Sequence, residues 1–341
     1  MLSVPHDVDL YNRLDNVGEG RHNCLCMLIQ VKGGGFNLKL SFELWPNYPY
    51  QMHITGVVVN SWGNKPIRDC VEKVAYYGYK GVDFIDKMFF DLSPQELERT
   101  LEELSELVKS LGITVASVGS HHLAITPWKY QRVEQVKSVK KGIDIAAKLG
   151  APTVVSYIDG YYNPPTYILL SRKEAKQIFV DMVRECAEYA GEKGIDFSVE
   201  PHQETLINLP DITLELIQAV GFKNVKVTID FGGLYLGIKP HMSVKEAISQ
   251  FGSLINHVHA KDIAGTIGRW NMCWFGAGIV NFKECAEALR SIGYKGFISV
   301  EWEGWFKGGI EGVGDLSQSG LMDFDRVAVE AKEFLEVYFS S

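Results

Sequence analysis

Acidic and imidazole side chains recur at the ends of strand-like runs along this 341-residue chain. The places are His121-His122, Glu200-Pro201-His202, Asp230, His257-Val258-His259 and Glu301. Each has an ordinary reading when taken singly, because a carboxylate just past a strand also serves as a helix N-cap or an ion-pair partner. Together they point to a metal. Converging carboxylates repel one another unless a cation sits between them, and four successive runs each deliver an acid or a histidine to the set. Two glutamates, one aspartate and one imidazole form an oxygen-rich group with one nitrogen. That group suits one divalent ion, Mn²⁺ first, with Mg²⁺, Co²⁺ or Zn²⁺ as alternatives. No cysteine stands among these residues, which argues against a structural zinc site.

Far-apart residues can meet only if a repeating framework carries them. Short β-branched runs cover residues 54–60, 82–86, 114–119, 153–157, 196–200, 225–230, 255–259 and 297–301. Between them lie segments such as 94–111, 134–149 and 173–193, whose apolar residues recur at three and four positions as in amphipathic helices. Gly78, Gly112, Gly150, Gly194, Gly221, Gly252 and Gly293 each stand just ahead of a strand, where a left-handed residue closes the preceding helix. Eight βα units predict an α/β fold, a (β/α)₈ TIM barrel, for which ~250 residues is typical. A doubly wound open sheet is the alternative. The run Val57-Val58-Val59-Asn60-Ser61-Trp62-Gly63 lacks the glycine fingerprint such a sheet uses for a dinucleotide.

Residues 1–52 read as an N-terminal extension, with strand-like runs at 24–32 and 36–45 around Gly33-Gly34-Gly35 suggesting a β-hairpin. Residues 53–341 read as the barrel domain. In such a barrel the chemistry lies at the C-terminal ends of the strands, where the acids and histidines gather. The glycine-rich stretch 302–321 follows the last strand, in place for a loop that covers a substrate.

A net charge of −8 opposes polyanions, so nucleic acid is not an expected partner. The cysteines at 24, 26, 70, 186, 273 and 285 have no metal-finger or C-x-x-C spacing and read as reduced thiols. With no basic segment leading into an apolar run near residue 1, and no run of ~18 apolar residues, the expectation is a cytoplasmic protein that does not meet the membrane.

The segments Ser198-Val199-Glu200-Pro201-His202, Val227-Thr228-Ile229-Asp230, His257-Val258-His259-Ala260-Lys261-Asp262, Gly276-Ala277-Gly278-Ile279-Val280-Asn281-Phe282 and Val300-Glu301 resemble the sugar phosphate isomerase/epimerase superfamily. These are the xylose-isomerase-like TIM barrels, of the AP endonuclease family 2 type. The likeness spans roughly residues 53–340. It implies that Glu200, Asp230, His259 and Glu301 are the metal ligands, and that Glu200 and Glu301 also move protons. His202 falls on the same side of an extended chain as Glu200 and suits proton transfer near neutrality, or a hydrogen bond to substrate.

Around this set, His121, His122, His257, Lys261 and Arg269 are read as substrate-binding, with an ion pair to Asp262 or another rim acid as the alternative for Lys261. Trp62, Trp274 and Trp302, with Trp270, Phe275 and Trp305, offer flat faces to a sugar or to an aromatic aglycone. Six large aromatics exceed what a small free sugar needs. Together with Val59-Asn60-Ser61-Trp62-Gly63, Gly119-Ser120-His121-His122 and Glu200-Pro201-His202, they resemble the α subunit of C-glycoside deglycosidases. That branch implies a carbon–carbon lyase on 3-oxo-C-glycosides, with a small β subunit, in a superfamily of oligomers. The competing functions are an isomerase or epimerase on a free keto sugar, an apurinic-site endonuclease, and a sugar-binding barrel without catalysis.

Overall fold

A computed structural model of the protein describes residues 39–43, 48–49, 58–59, 66–161, 166–238, 242–267, 269–302, 307–308 and 324–339. The chain divides into units Met1–Gly34 and Gly35–Ser341, and the first lies outside the described residues. In the second, eight parallel strands close into a barrel. In chain order they are Lys39–Glu43, Gly81–Ile85, Thr114–Gly119, Thr153–Tyr157, Asp196–Glu200, Val225–Asp230, Ile255–Ala260 and Phe297–Val300. Each pairs with its sequence neighbour, and the first closes the ring by pairing with both the second and the eighth.

The first strand corrects the expectation. Of residues 54–60 the described pair, Val58–Val59, stands outside the barrel wall and pairs antiparallel with Tyr48–Pro49 in a separate two-stranded sheet. Lys39–Glu43 takes the first place in the barrel wall, with Leu40 and Phe42 buried. The barrel thus begins ahead of residue 53, inside the segment expected to be a hairpin extension. The other half of that hairpin, residues 24–32, lies outside the described residues, as does most of the glycine-rich stretch 302–321.

The helices form where the apolar spacing predicts, and their ends follow from local chemistry. Ser93, Ser171 and Ser243 cap three of them, each in a reciprocal box with a glutamate three residues on. All seven pre-strand glycines adopt positive φ, and Gly150 and Gly221 are left-handed C-caps. No described helix is long and apolar enough to cross a membrane.

Alternation along each strand sends one set of side chains under the helices and the other into the barrel. Phe197, Val199, Val227, Ile229, Ile298 and Val300 belong to the apolar core. The inward set is polar. Ser117 Oγ and Ser299 Oγ each donate to the Asp83 carboxylate at 2.6 Å, and His257 Nε2 stands 3.0 Å from Asp83 Oδ1. Nearer the strand starts, Asn256 donates to Thr153 Oγ1 and accepts from Ser198 Oγ, and Ser198 also bonds Thr228. These bonds tie strands two, three, four, five, six, seven and eight across the interior.

Burial alone would raise the Asp83 carboxyl, but the imidazole of His257 and the two serine hydroxyls hold it down at about 2. A carboxyl with a lowered folded-state value contributes stability above its ordinary 3.8 that is lost as the pH falls toward about 2. Asp83→Ala would leave an imidazole and two hydroxyls without their shared acceptor inside the barrel. It is expected to cost about 3 kcal/mol at pH 7, with a smaller difference from wild type near pH 2, measured by denaturant unfolding at both pH values.

Candidate metal centre

Strands five to eight bring their inward, C-terminal residues to one place. Glu200, Asp230, His259, Lys261 and Glu301 are each no more than 4% exposed. His259 Nδ1 lies 3.0 Å from Glu200 Oε1 and 3.6 Å from Glu301 Oε2. One ligand atom each from Glu200, His259 and Glu301 fits within 4.8 Å of the others, the dimension of a single coordination sphere. Asp230 stands beside this group through a shared neighbour: Lys261 Nζ is 2.7 Å from Asp230 Oδ2 and 2.9 Å from Glu301 Oε1.

The donor set fits a divalent ion. Three carboxylates against one ammonium leave two negative charges, with two oxygen donors and an imidazole in reach of one point. Burial pushes the Glu200 and Asp230 carboxyls up, yet both finish below the usual range. For Glu200 the opposing force is the charge and bond of His259, and for Asp230 it is Lys261 and then His202. The acids are therefore ionised and ready to ligate.

Two glycines shape the access to Asp230. The helix Phe231–Ile238 starts directly after it, and a side chain at Gly232 would meet the Lys261 stem, with Cγ at 3.0 Å. At Gly233 a Cβ would stand 2.6 Å from His202 Cδ2 and 2.9 Å from Nε2. His202 thereby places Nε2 3.5 Å from Asp230 Oδ2, with Tyr157 edge-on to its ring at 5.3 Å. The Asp230-Phe231-Gly232-Gly233 string was open to sequence reasoning, but no periodic signal marked these glycines as space for two side chains.

Other expected residues separate from this group. His257 sits one step deeper than His259 on the same strand, with Nε2 3.0 Å from Asp83 Oδ1, so it lies in the barrel floor. His122 is tied to Asp86 at 2.9 Å and stacked on Phe90 at 5.1 Å. Arg269 is exposed at the end of an unexpected hairpin, Asp262–Thr266 with Arg269–Cys273, paired further with Lys307–Gly308. Four residue steps from the hairpin base carry it about 13 Å from Asp262. His121 stays at the mouth. Its Nδ1 accepts from the Tyr157 amide at 2.9 Å, and burial, partly offset by Glu200, lowers the ring to about 4. A neutral ring that accepts at Nδ1 carries its hydrogen on Nε2.

Lys87, which sequence reading passed over, is partly buried just past strand two, lowered by that burial, and its charge reaches His121. Trp302 is buried and stacked on Trp274 at 5.1 Å, and Arg326 lies 4.6 Å over Trp274. Phe275 packs on Phe282 and Phe334. Trp62 and Trp305 lie outside the described residues.

Asp262 resolves the pairing alternative for Lys261. Its carboxylate accepts from the amides of Ile263, Gly276, Gly278 and Val280 at 2.8–3.2 Å and pins the Gly276-Ala277-Gly278 loop to the end of strand seven. Lys261 turns instead to Asp230 and Glu301.

The family described as “Xylose isomerase-like TIM barrel” matches residues 71–314. The chain is 23% identical over 264 residues to an inosose dehydratase from Geobacillus thermodenitrificans, covering 71% of this chain and 83% of that protein. It is 28% identical over 174 residues to a D-psicose 3-epimerase from Ruminiclostridium cellulolyticum, covering 44% and 54%. An uncharacterised protein from Methanocaldococcus jannaschii is 33% identical over 237 residues, 68% of this chain and 77% of that protein. Among solved structures, a D-psicose 3-epimerase with D-tagatose from Clostridium cellulolyticum superposes with a TM-score of 0.66 at 22% identity, over 89% of this chain and 100% of that one. At that identity the likeness is one of fold.

A methyl at Gly278 would collide with Asp262 Oδ1 and the Ile263 carbonyl. Gly278→Ala is expected to destabilise the protein by about 2–3 kcal/mol, read as a lower Tm, with early loss of protection at the Val280 amide in hydrogen exchange.

Proposed function

We propose, for a chain that belongs to the xylose isomerase-like TIM barrel family, that the protein is a metal-dependent epimerase that moves a proton on the carbon beside the carbonyl of a keto sugar. The observation that carries this reading is the convergence of Glu200, His259 and Glu301 on one coordination sphere, with Asp230, Lys261 and His202 at its edge. Glu200, Asp230, His259 and Glu301 are the proposed ligands, and Mn²⁺ is the proposed ion. When bound, the ion polarises the carbonyl and makes the neighbouring C–H acidic.

The chain's own residues supply the rest. Glu200 and Glu301 enter from strands with two others between them, and each has two oxygens, so a carboxylate that ligates through one oxygen retains the other for a proton. Two bases at one carbon are what inversion requires: one removes the proton, the other returns it to the opposite face. His202, held at Asp230 by the space over Gly233, is the proposed shuttle between the site and water. Lys261 and His121, a neutral donor through Nε2, are the proposed contacts for substrate oxygens.

Relatives named as an epimerase and a dehydratase support this reading, since both reactions beside a ketone start with the same proton abstraction. The carbon–carbon lyase reading rests on surplus rim aromatics. Trp274, Trp302 and Phe275 pack against neighbouring rings in the barrel's own structure, which weakens the case for a flat aglycone and for the small β subunit that branch would bring.

Purified protein is expected to hold about one divalent ion per chain and to lose activity on chelation. With Mn²⁺ and free ketoses in D₂O it should incorporate deuterium beside the carbonyl and form a new epimer. Glu301→Gln should lower turnover by about 10³-fold and His202→Asn by about 10²-fold. Release of aglycone from a 3-oxo-C-glycoside, with no exchange into any ketose, would overturn the epimerase reading in favour of the lyase. Accumulation of an unsaturated ketone would favour a dehydratase.

A further inference from the structure

We propose that Lys261 is a resident counter-cation that a divalent ion displaces from Asp230 and Glu301, so that its ammonium is presented to a substrate oxygen only when the site is loaded. The inference rests on the metal site proposed above and adds a coupling between ion and substrate binding.

The ammonium is buried, and a buried charge persists only where it is paired. Its partners are Asp230 Oδ2 at 2.7 Å and Glu301 Oε1 at 2.9 Å. Glu301 is also one of the three residues whose ligand atoms converge, and Asp230, held by Lys261, is not among them. A divalent ion in that group must share Glu301 with a positive charge one carboxylate away. The repulsion falls on the more mobile partner, a four-carbon stem rooted just past strand seven at the barrel mouth. Gly232 keeps that stem's path open, since a Cβ there would touch Lys261 Cγ at 3.0 Å. Departure of the ammonium frees Asp230 to become the fourth ligand. Its new position lies on the side where a substrate approaches, with an oxygen of developing negative charge to meet it.

Calorimetric titration of Mn²⁺ alone tests this without turnover. Lys261→Met removes the competing charge and should bind Mn²⁺ about tenfold or more tightly than wild type, while Lys261→Arg, which keeps the charge, should stay within about threefold. Lys261→Met binding no tighter than wild type overturns the proposal. Should that variant fail to fold by circular dichroism, the wild type decides. Reductive methylation of Lys261, followed by peptide mass spectrometry, should speed up about fivefold or more on Mn²⁺ loading, while exposed Lys137 stays constant. An unchanged rate at Lys261 overturns the displacement. A wild-type protein that binds no divalent ion at all fails earlier, at the proposed function itself.

Discussion

Three carboxylates share one buried space at the mouth of this barrel, and that crowding is the constraint to which the surrounding structure answers. Glu200, Asp230 and Glu301 could relieve it by protonation, by exposure or by pairing. Their burial removes exposure, and the lowered values of Glu200 and Asp230 remove protonation. Pairing is left, and it is met twice over: by the imidazole of His259 between the two glutamates, and by the ammonium of Lys261 between Asp230 and Glu301. Two glycines after Asp230 give His202 and Lys261 the room to reach it.

The same logic runs below the site. A TIM barrel interior is usually filled by layers of branched aliphatic side chains. Here one layer is a carboxylate, an imidazole and two serines in mutual contact. Hydrogen bonds have fixed lengths and directions, so such a layer allows less sliding between strands than packed methyl groups would. His257, edge-on to His259 at 5.1 Å, carries that stiffness upward into the centre. The floor and the mouth are thereby one connected polar structure.

Strands two to eight were legible because each is a β-branched run announced by a glycine that closes a helix. The first strand was not, because Lys39–Glu43 contains no β-branched residue and competes with the more β-branched run at 57–60. Period-two alternation puts His257 and His259 on one face of strand seven. It carries no information on depth, and depth separates a floor residue from a ligand. The partner of Lys261 followed from the same rule more strictly than composition suggested. Neighbours i and i+1 of an extended chain point to opposite faces, so Asp262 faces the loop amides and Lys261 the interior acids. The hairpin after strand seven stayed hidden because its turn, between Thr266 and Arg269, reads equally well as an ordinary loop.

What distinguishes reactions on this framework is then the rim. Epimerisation, dehydration and loss of a carbon-linked group share a proton abstraction beside a carbonyl and differ in what leaves next. In the proposed reaction the abstraction calls on the strand ends, whose side chains are positioned by pairings inside the barrel. The next step depends on what the loops hold beside the neighbouring carbon. In the described part of the rim, the aromatics that would cradle a flat leaving group are engaged with one another and with the C-terminal helix. The hairpin carries Arg269 outward, away from the charges it would otherwise meet. Among the described rim residues, that arrangement leaves the strand-end acids, Lys261 and His121 as the groups proposed to meet the substrate.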